Sequence, residues 1–274
     1  MTITGIFTIR NAIKTGYPFL ESILSVLPIT DEFLISDGGS TDGTFNSFIK
    51  LKKTFPQKVK INQFQDKTSK RWECIDKHIN YLISKARGEW IFEIQGDELF
   101  HEKDIIKMKN IIEKSDEYNS ILQPRWDTNW DLNSAYTLYN TVRCFRNQPG
   151  VTSLQGGDYF VLDSSYKKLL KPILFLDIPF YHFNSVFPKN HYLRAKRHSK
   201  FLSTDDGVRH MCTENLKNLY NDLPNEIEKQ DYNISKNVPA IIKGMSGYNK
   251  YFVRHELFNK EWLTKTTGLN YFFD

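Results

Sequence analysis

The chain has 274 residues, 40% hydrophobic and 25% charged, which fits one large folded α/β domain with a small appendage and excludes a disordered protein. A net charge of +5 suits a partner that carries phosphate. No Lys/Arg stripe interleaved with aromatics runs along a single helix, so nucleic acid is not expected as a partner.

The first residues, Met1-Thr2-Ile3-Thr4, lack the basic start and apolar run of a signal peptide. Residues 3–9 are β-rich and predict an opening strand. Leu20, Ile23, Leu24 and Leu27 share one face of a helix over 17–27, which Pro28 stops. A second strand over 33–36 runs into Asp37-Gly38-Gly39-Ser40, and a helix from about 41 buries Phe45, Phe48 and Ile49. Residues 59–64 form a third strand. Trp72, Ile75, Ile79, Leu82, Ile83 and Ala86 then keep the helical period over 70–86. A fourth strand, 90–94, leads into Gln95-Gly96-Asp97-Glu98.

Strands alternating with helices of this length predict βαβ units and a mainly parallel sheet. The polar turns after Ile9, Ser36 and Ile94 then share the rim beyond the strands' carboxyl ends, where such sheets bind ligands. Beyond Glu98 the pattern is looser. A helix is expected over 105–112, strands over 120–123 and 139–145, and a polar Trp-rich loop over 126–133. Residues 173–183 are too short a run, broken by Asp177, to span a bilayer. From about Pro188 the chain is basic and helical in flavour. The three cysteines, Cys74, Cys144 and Cys212, lie far apart and indicate neither a disulfide framework nor a zinc site. A cytoplasmic protein is expected. The basic, aromatic tail through Trp262 and Tyr271-Phe272-Phe273 leaves open a membrane or partner contact, or simple packing on the domain.

Four segments fall in a telling order. They are Thr8-Ile9-Arg10-Asn11, Asp37-Gly38-Gly39-Ser40-Thr41-Asp42-Gly43-Thr44, a helix from Arg71 to Ala86-Arg87-Gly88, and Gln95-Gly96-Asp97-Glu98. The pattern resembles the family-2 glycosyltransferases, inverting enzymes with the Rossmann-like A-type glycosyltransferase fold. The likeness covers about residues 4–100 well and 120–200 loosely. It implies a catalytic domain over 1–200, with a donor half over 1–100 and an acceptor half over 101–200, followed by a helical C-terminal extension over 201–274.

The resemblance implies a nucleoside-diphosphate sugar as donor, UDP-linked by prior, and a saccharide, lipid-linked or protein acceptor, as in polysaccharide biosynthesis. Asp37 is placed to accept from a base N–H, with Thr8, Arg10, Asn11 and Arg71 near the nucleotide. Asp42 reads as structural, at a helix start. A diphosphate leaves well when Mn²⁺ or Mg²⁺ neutralises its charge. Asp97 matches the last acid of the family's Asp-x-Asp, while Gln95 replaces the first: it brings no charge, but as a donor-binding residue its amide can hydrogen-bond a ribose hydroxyl or a metal-bound water. Glu98 is a candidate supporting carboxylate, and a late His completes the metal site in many relatives, here His182. Asn184, Lys189 and Lys196 are candidates near the donor phosphates. Inversion needs a carboxylate base, for which Asp158 in Gly156-Gly157-Asp158 is the first choice, ahead of Asp127 and Asp131. Trp126 and Trp130 are candidates to stack on an acceptor sugar. A non-catalytic binding or scaffold protein and a nucleotidyltransferase are the alternatives. The latter would be expected to carry a Gly-rich loop after the first strand, where Ile9-Arg10-Asn11-Ala12 stands instead.

Overall fold

The computed structural model describes residues 1–64, 71–128, 134–154, 156–162, 170–183, 231–233, 239–241 and 255–271. The first half runs β1 (Ile3–Ile9), α1 (Ala12–Thr15), α2 (Phe19–Val26), β2 (Glu32–Asp37), α3 (Thr44–Thr54), β3 (Val59–Gln63), α4 (Arg71–Lys85) and β4 (Trp90–Glu93). The second half adds β5 (Glu98–Leu99), α5 (Glu102–Ile112), β6 (Ser120–Thr128), β7 (Ser134–Arg146), β8 (Thr152–Leu154), β9 (Tyr159–Val161), β10 (Ile173–Phe175) and β11 (Phe180–His182). Two described pieces of the tail follow, β12 (Asp231–Asn233) and α6 (Lys260–Thr267).

The α/β class expected from the sequence is the one found. One sheet runs β3-β2-β1-β4-β7-β6-β11-β5, with β10 beside β6 and β12 beside β7. Its first four strands are all parallel, as helical crossovers require. At β7 the direction reverses, and β7 is antiparallel to both β4 and β6. No helix joins β6 to β7 within the described residues, and strands in direct succession pair antiparallel.

Period-two alternation in the strands sorts apolar side chains to two faces. Phe7, Phe33, Ile35, Trp90 and Phe92 join one core with Leu20, Ile23 and Leu24 of α2 and Phe48 and Leu51 of α3. Ile6, Leu34 and Ile91 join the other with Ile79, Leu82 and Ile83 of α4. The described end of the tail packs on the first core. Leu263 and Tyr271 are buried there, and the Tyr271 hydroxyl donates to the Leu24 carbonyl at 2.7 Å. Phe272 and Phe273 lie outside the described residues, as does the basic segment with Lys189 and Lys196.

Three local differences from the sequence pattern have simple causes. α2 ends at Val26, and Leu27–Ile29 is a 3₁₀ turn, because Pro28 has no N–H to continue the α-helix. Trp126, Asp127 and Thr128 are not loop. They close β6, paired to β7 on one side and to β11 on the other. The apolar run at 173–183 supplies two short strands, β10 and β11, that add to the edge of β6.

The opposite, amino-terminal end of the parallel strands is pinned by Glu32. Its carboxylate accepts from Thr4 Oγ1 at 2.9 Å, Lys60 Nζ at 2.9 Å, and Arg87 N, Nε and Nη2 at 2.8, 3.1 and 2.9 Å. Burial alone would raise its pKa. These donors outweigh it and hold the carboxyl at about 2. A depressed folded-state pKa means the stabilisation is complete above the unfolded value, near 4.5, and drains away as pH falls towards 2. Glu32→Gln is expected to cost about 1–3 kcal/mol at pH 7. It should also flatten the acid limb of a urea-unfolding series between pH 5 and 2. A variant with the wild-type acid limb would take Glu32 out of that role.

Candidate functional site

The strand order reverses between β1 and β4, so the crevice of the parallel half lies beyond Ile9 on one side and Glu93 on the other. The acidic turn closes onto β1 at Gly96, where a Cβ would meet the tip of the Ile9 side chain and push it aside. On the β2 side, register pairs Ile9 with Asp37 and Asp37 with Gln63, which sets three strand ends in a row.

The turn after β2 is built around Asp37, which is fully buried. Its Oδ2 accepts from Gly39 N at 3.1 Å, Ser40 N at 2.8 Å and Gln63 Nε2 at 2.8 Å, and its Oδ1 accepts from Ser40 Oγ at 2.5 Å. Asn11 adopts the left-handed region at φ 55° and stitches β1 to this turn. Its N–H donates to Ser40 Oγ at 2.8 Å, and its Oδ1 accepts from Thr41 N at 2.9 Å. Thr8 Oγ1 donates to the Ser36 carbonyl at 2.9 Å, and the Arg10 side chain lies along Gly38. Asp42 accepts from Lys14 N at 2.7 Å and from Thr44 N at 3.1 Å, the helix-start role its position suggests. Arg71 is the first residue of α4.

On the β4 side the charges are dense. Arg143, in β7, has no exposed surface, and its guanidinium grips Glu98 with two bonds, Nε to Oε2 at 2.8 Å and Nη2 to Oε1 at 2.6 Å. Nη1 donates to the Gly157 carbonyl at 2.7 Å and lies 3.2 Å from Glu93 Oε2, an ion pair without hydrogen-bond alignment. Burial pushes the Glu93 carboxyl up, Arg143 pulls it back, and neighbouring Glu98 and Asp158 push it up again, leaving it well above the usual carboxylate range. Glu98 is thus committed to Arg143.

Gly157 takes φ +89°, and a Cβ there would press on Glu93 Oε1 at 3.1 Å and Ile79 Cδ1 at 3.0 Å. This turn therefore needs glycine for both its conformation and its space. Gln95 Nε2 reaches the Gly156 carbonyl at 3.4 Å, while Gly156 N donates to Asp76 Oδ1 of α4 at 2.9 Å. Asp76 also accepts from Ser153 Oγ at 2.7 Å, and burial pushes its carboxyl up to about 6 against these bonds. Asp158 follows the glycine pair. It is partly buried, and desolvation raises its pKa against the pull of Arg143, Arg125 and His182.

His182 sits where β11 runs between β6 and β5, in register with Asp127 and Glu98. Its Nδ1 is 2.6 Å from Asp127 Oδ1, and its Nε2 is 3.6 Å from Asp97 Oδ2. Arg125 Nε holds the other oxygen of Asp127 at 3.2 Å. Burial lowers the imidazole pKa, but the two carboxylates outweigh it and raise it to about 9. Phe183 N donates to the Asp97 carbonyl at 2.6 Å, which locks the acidic turn to the end of β11.

Among the described residues no three His, Cys, Asp or Glu side chains converge as a preformed metal cage. Asp97 and His182 do fit as two ligands. A carboxylate and an imidazole face each other at 3.6 Å, and Asp127 fixes the ring so that Nε2 is the nitrogen turned towards Asp97 and would be the ligating atom. One carboxylate, one imidazole and substrate phosphate oxygens are a usual donor set for Mn²⁺ or Mg²⁺. A bound cation would displace the imidazole proton.

Gln95, Asp97, Asp158 and His182 therefore meet in one cluster, with Thr8, Arg10, Asn11 and Asp37 along the neighbouring strand ends. Asp127, a competing candidate base, is instead engaged by His182 and Arg125. Asp131, Trp130 and Asn184 lie outside the described residues. Sequence reasoning missed Arg143, Glu93 and Asp76. A signal existed for the first two. A charge inside Val142-Arg143-Cys144-Phe145 and another inside Phe92-Glu93-Ile94 mark buried partners of opposite sign.

No family model matches the chain. It is 29% identical over 119 residues to the putative glycosyltransferase EpsE of Bacillus subtilis, a match covering 43% of this chain and 41% of that protein. The chain thus matches about two fifths of the length of that curated relative. Among solved structures it is similar to TarS of S. aureus, with TM-score 0.46 and 12% identity over 81% of this chain and 44% of that one. It is also similar to the mannosyltransferase PcManGT of Pyrobaculum calidifontis in complex with GDP-Man and Mn2+, with TM-score 0.44 and 15% identity over 71% and 60% of the two chains. At these scores neither structure carries a ligand or a fold across to this chain. No helix among the described residues is long and apolar enough to cross a membrane.

Removing one partner of a buried charge cluster strands the others without solvent. Arg143→Met is therefore expected to lose about 3–5 kcal/mol of stability, read as a lower urea midpoint at pH 7. Adding Glu98→Gln should recover part of that loss. If the double variant is less stable than Arg143→Met alone, charge stranding is not the cause.

Proposed function

We propose that the chain is a glycosyltransferase of the family-2, A-type kind, moving a sugar from a nucleoside-diphosphate sugar to a hydroxyl acceptor with inversion. The observation that supports this most is the meeting of Asp97, His182 and Asp158 at the point where the strand order of a parallel sheet reverses, the usual ligand crevice of such sheets. The partial likeness to EpsE points the same way.

In this reading Thr8, Arg10 and Asn11 border the nucleotide, and Arg10 with Arg71 contributes positive charge for the diphosphate. Asp97 and His182 would hold Mn²⁺ or Mg²⁺, which when bound would supply positive charge against the diphosphate leaving group. Asp158 takes the acceptor hydroxyl proton, and its raised pKa suits a base that must hold that proton while the oxygen attacks. The Gln95 amide orients the Gly156 turn rather than binding metal. Residues 1–200 form the catalytic unit and 201–274 an extension; UDP is the first nucleotide to try. A saccharide of a surface polysaccharide, a lipid-linked sugar or a protein hydroxyl is the acceptor class, met in the cytoplasm or at a membrane surface.

The absent charge at Gln95 favours a second reading, a binding or scaffold protein without turnover. Donor hydrolysis distinguishes the two, since a scaffold would bind nucleotide and release no sugar. A ligand that binds only the native state raises its melting point. UDP or another nucleoside diphosphate is expected to raise the midpoint, and more so with Mn²⁺. Asp97→Ala should keep the nucleotide shift and lose the Mn²⁺ increment. If no diphosphate shifts the melting curve, the proposal fails; an unchanged Mn²⁺ increment removes Asp97 from the metal site.

A further inference from the structure

We infer that Asp76 is a positioning residue for the base: it fixes where Asp158 stands by holding the amide N–H groups of Gly156 and Gly157. The inference rests on the reading of Asp158 as the base given above.

The turn before Asp158 cannot hold its own shape. Gly156 and Gly157 take positive φ in succession, at 75° and 89°. Glycine enters that region freely and leaves it as freely, since no Cβ narrows the choice. Two such residues in a row give the peptide leading into Asp158 several conformations of similar energy. What selects one of them must come from outside the turn.

Both glycines are buried, so their backbone groups have to find partners within the protein. The carbonyls are met from the sheet side. Gln95 Nε2 reaches the Gly156 oxygen at 3.4 Å, and Arg143 Nη1 donates to the Gly157 oxygen at 2.7 Å. The N–H groups both turn to Asp76. Its Oδ1 accepts from Gly156 N at 2.9 Å, and the carboxylate also accepts from Gly157 N. A carboxylate brings two acceptor oxygens to one place and no competing donor.

Asp76 is itself held by its helix. Residues 76, 79 and 80 share one face of α4. Ile79 Cδ1 lies 3.0 Å from where a Gly157 Cβ would stand, and Asn80 Oδ1 accepts from Ser153 N at 2.8 Å. Ser153 Oγ in turn donates to Asp76 Oδ1 at 2.7 Å. The helix face therefore carries the whole segment, and Asp76 is the member that reaches the glycine amides.

The charge is carried against the interest of stability. Burial, with Asp158 adding to it, pushes the Asp76 carboxyl from 3.8 up to about 6. A raised folded-state value means that ionising Asp76 costs the fold stability as pH rises from 3.8, and in full above 6. What the ionised group supplies at neutral pH is a glycine turn of one shape.

Donor hydrolysis by the full chain tests this, with Mn²⁺ and with UDP-glucose, UDP-galactose and GDP-mannose as probes. Water then stands in for the acceptor hydroxyl and gives its proton to Asp158. Asp76→Ala is expected to lower kcat on the order of 10- to 100-fold, the scale of a group misplaced by about 1 Å. KM for the donor and the affinity for UDP should stay as in wild type. Amide exchange at Gly156 and Gly157 should quicken in the same variant. Asp76→Asn, with one acceptor oxygen, should recover part of kcat. Asn80→Ala, which removes the bond to Ser153, should keep the wild-type kcat. A wild-type kcat in Asp76→Ala overturns the inference. So does a fall in kcat matched by weaker UDP binding, since Asp76 would then only support the fold. Asn80→Ala as slow as Asp76→Ala would assign the effect to α4 as a whole and overturn it too. Should Asp76→Ala not fold, Asp76→Asn decides: a lower kcat at unchanged KM supports the inference, and a wild-type kcat overturns it. Full turnover by Asp158→Asn sinks the base reading, and wild type that releases no diphosphate from any probe sinks the donor-site reading. The inference falls with either.

Discussion

Arg143 is the fixed point of the molecule. A guanidinium without exposed surface must satisfy its donors within the protein, and its partners come from three separate parts of the chain. Glu98 lies just past the acidic turn, Glu93 ends β4, and the Gly157 carbonyl belongs to the turn that carries Asp158. Since none of these bonds can be exchanged for water, the acidic turn and the glycine turn are held at one separation. A neutral residue at 143 would leave that separation to loop packing alone.

The same cluster sets the electrostatic character of the crevice. Acids outnumber bases around Arg143, and burial raises the pKa of Glu93, Asp76 and Asp158. His182 moves upward as well, because Asp97 and Asp127 flank it. Burial thus leaves these carboxyls holding their protons tightly, while the flanking carboxylates keep the His182 imidazole protonated to higher pH. The opposite end of the sheet shows the reverse pattern. Glu32 there is oversupplied with donors and stays charged, a purely structural pin.

Much of the first half was legible from sequence. Periods of 3.6 and 2 placed α2, α4 and the strands β1 to β4, since each element buries one stripe or alternates between two cores. The second half was less so. The strand β11 is three residues long, and β6 reads as loop after Gln123 because Pro124, Arg125 and Asp127 break its apolar alternation. Those polar residues are in the sheet because Arg125, Asp127 and His182 satisfy one another there.

The acidic turn shows where the division lies. Order along the chain marked Gln95-Gly96-Asp97-Glu98 as the turn at a strand's carboxyl end, and the resemblance to the family's Asp-x-Asp marked Asp97 as the acid and Gln95 as the departure. Tertiary structure decided which partners each acid meets. Glu98 is spent on Arg143, Asp127 on His182 and Arg125, and Asp37 on its own turn, while Asp97 faces the imidazole of His182. Pairings such as Glu98 with Arg143, 45 positions apart, and Asp127 with His182, 55 apart, form only when the sheet closes, and a carboxylate's chemistry is set by the donors that reach it.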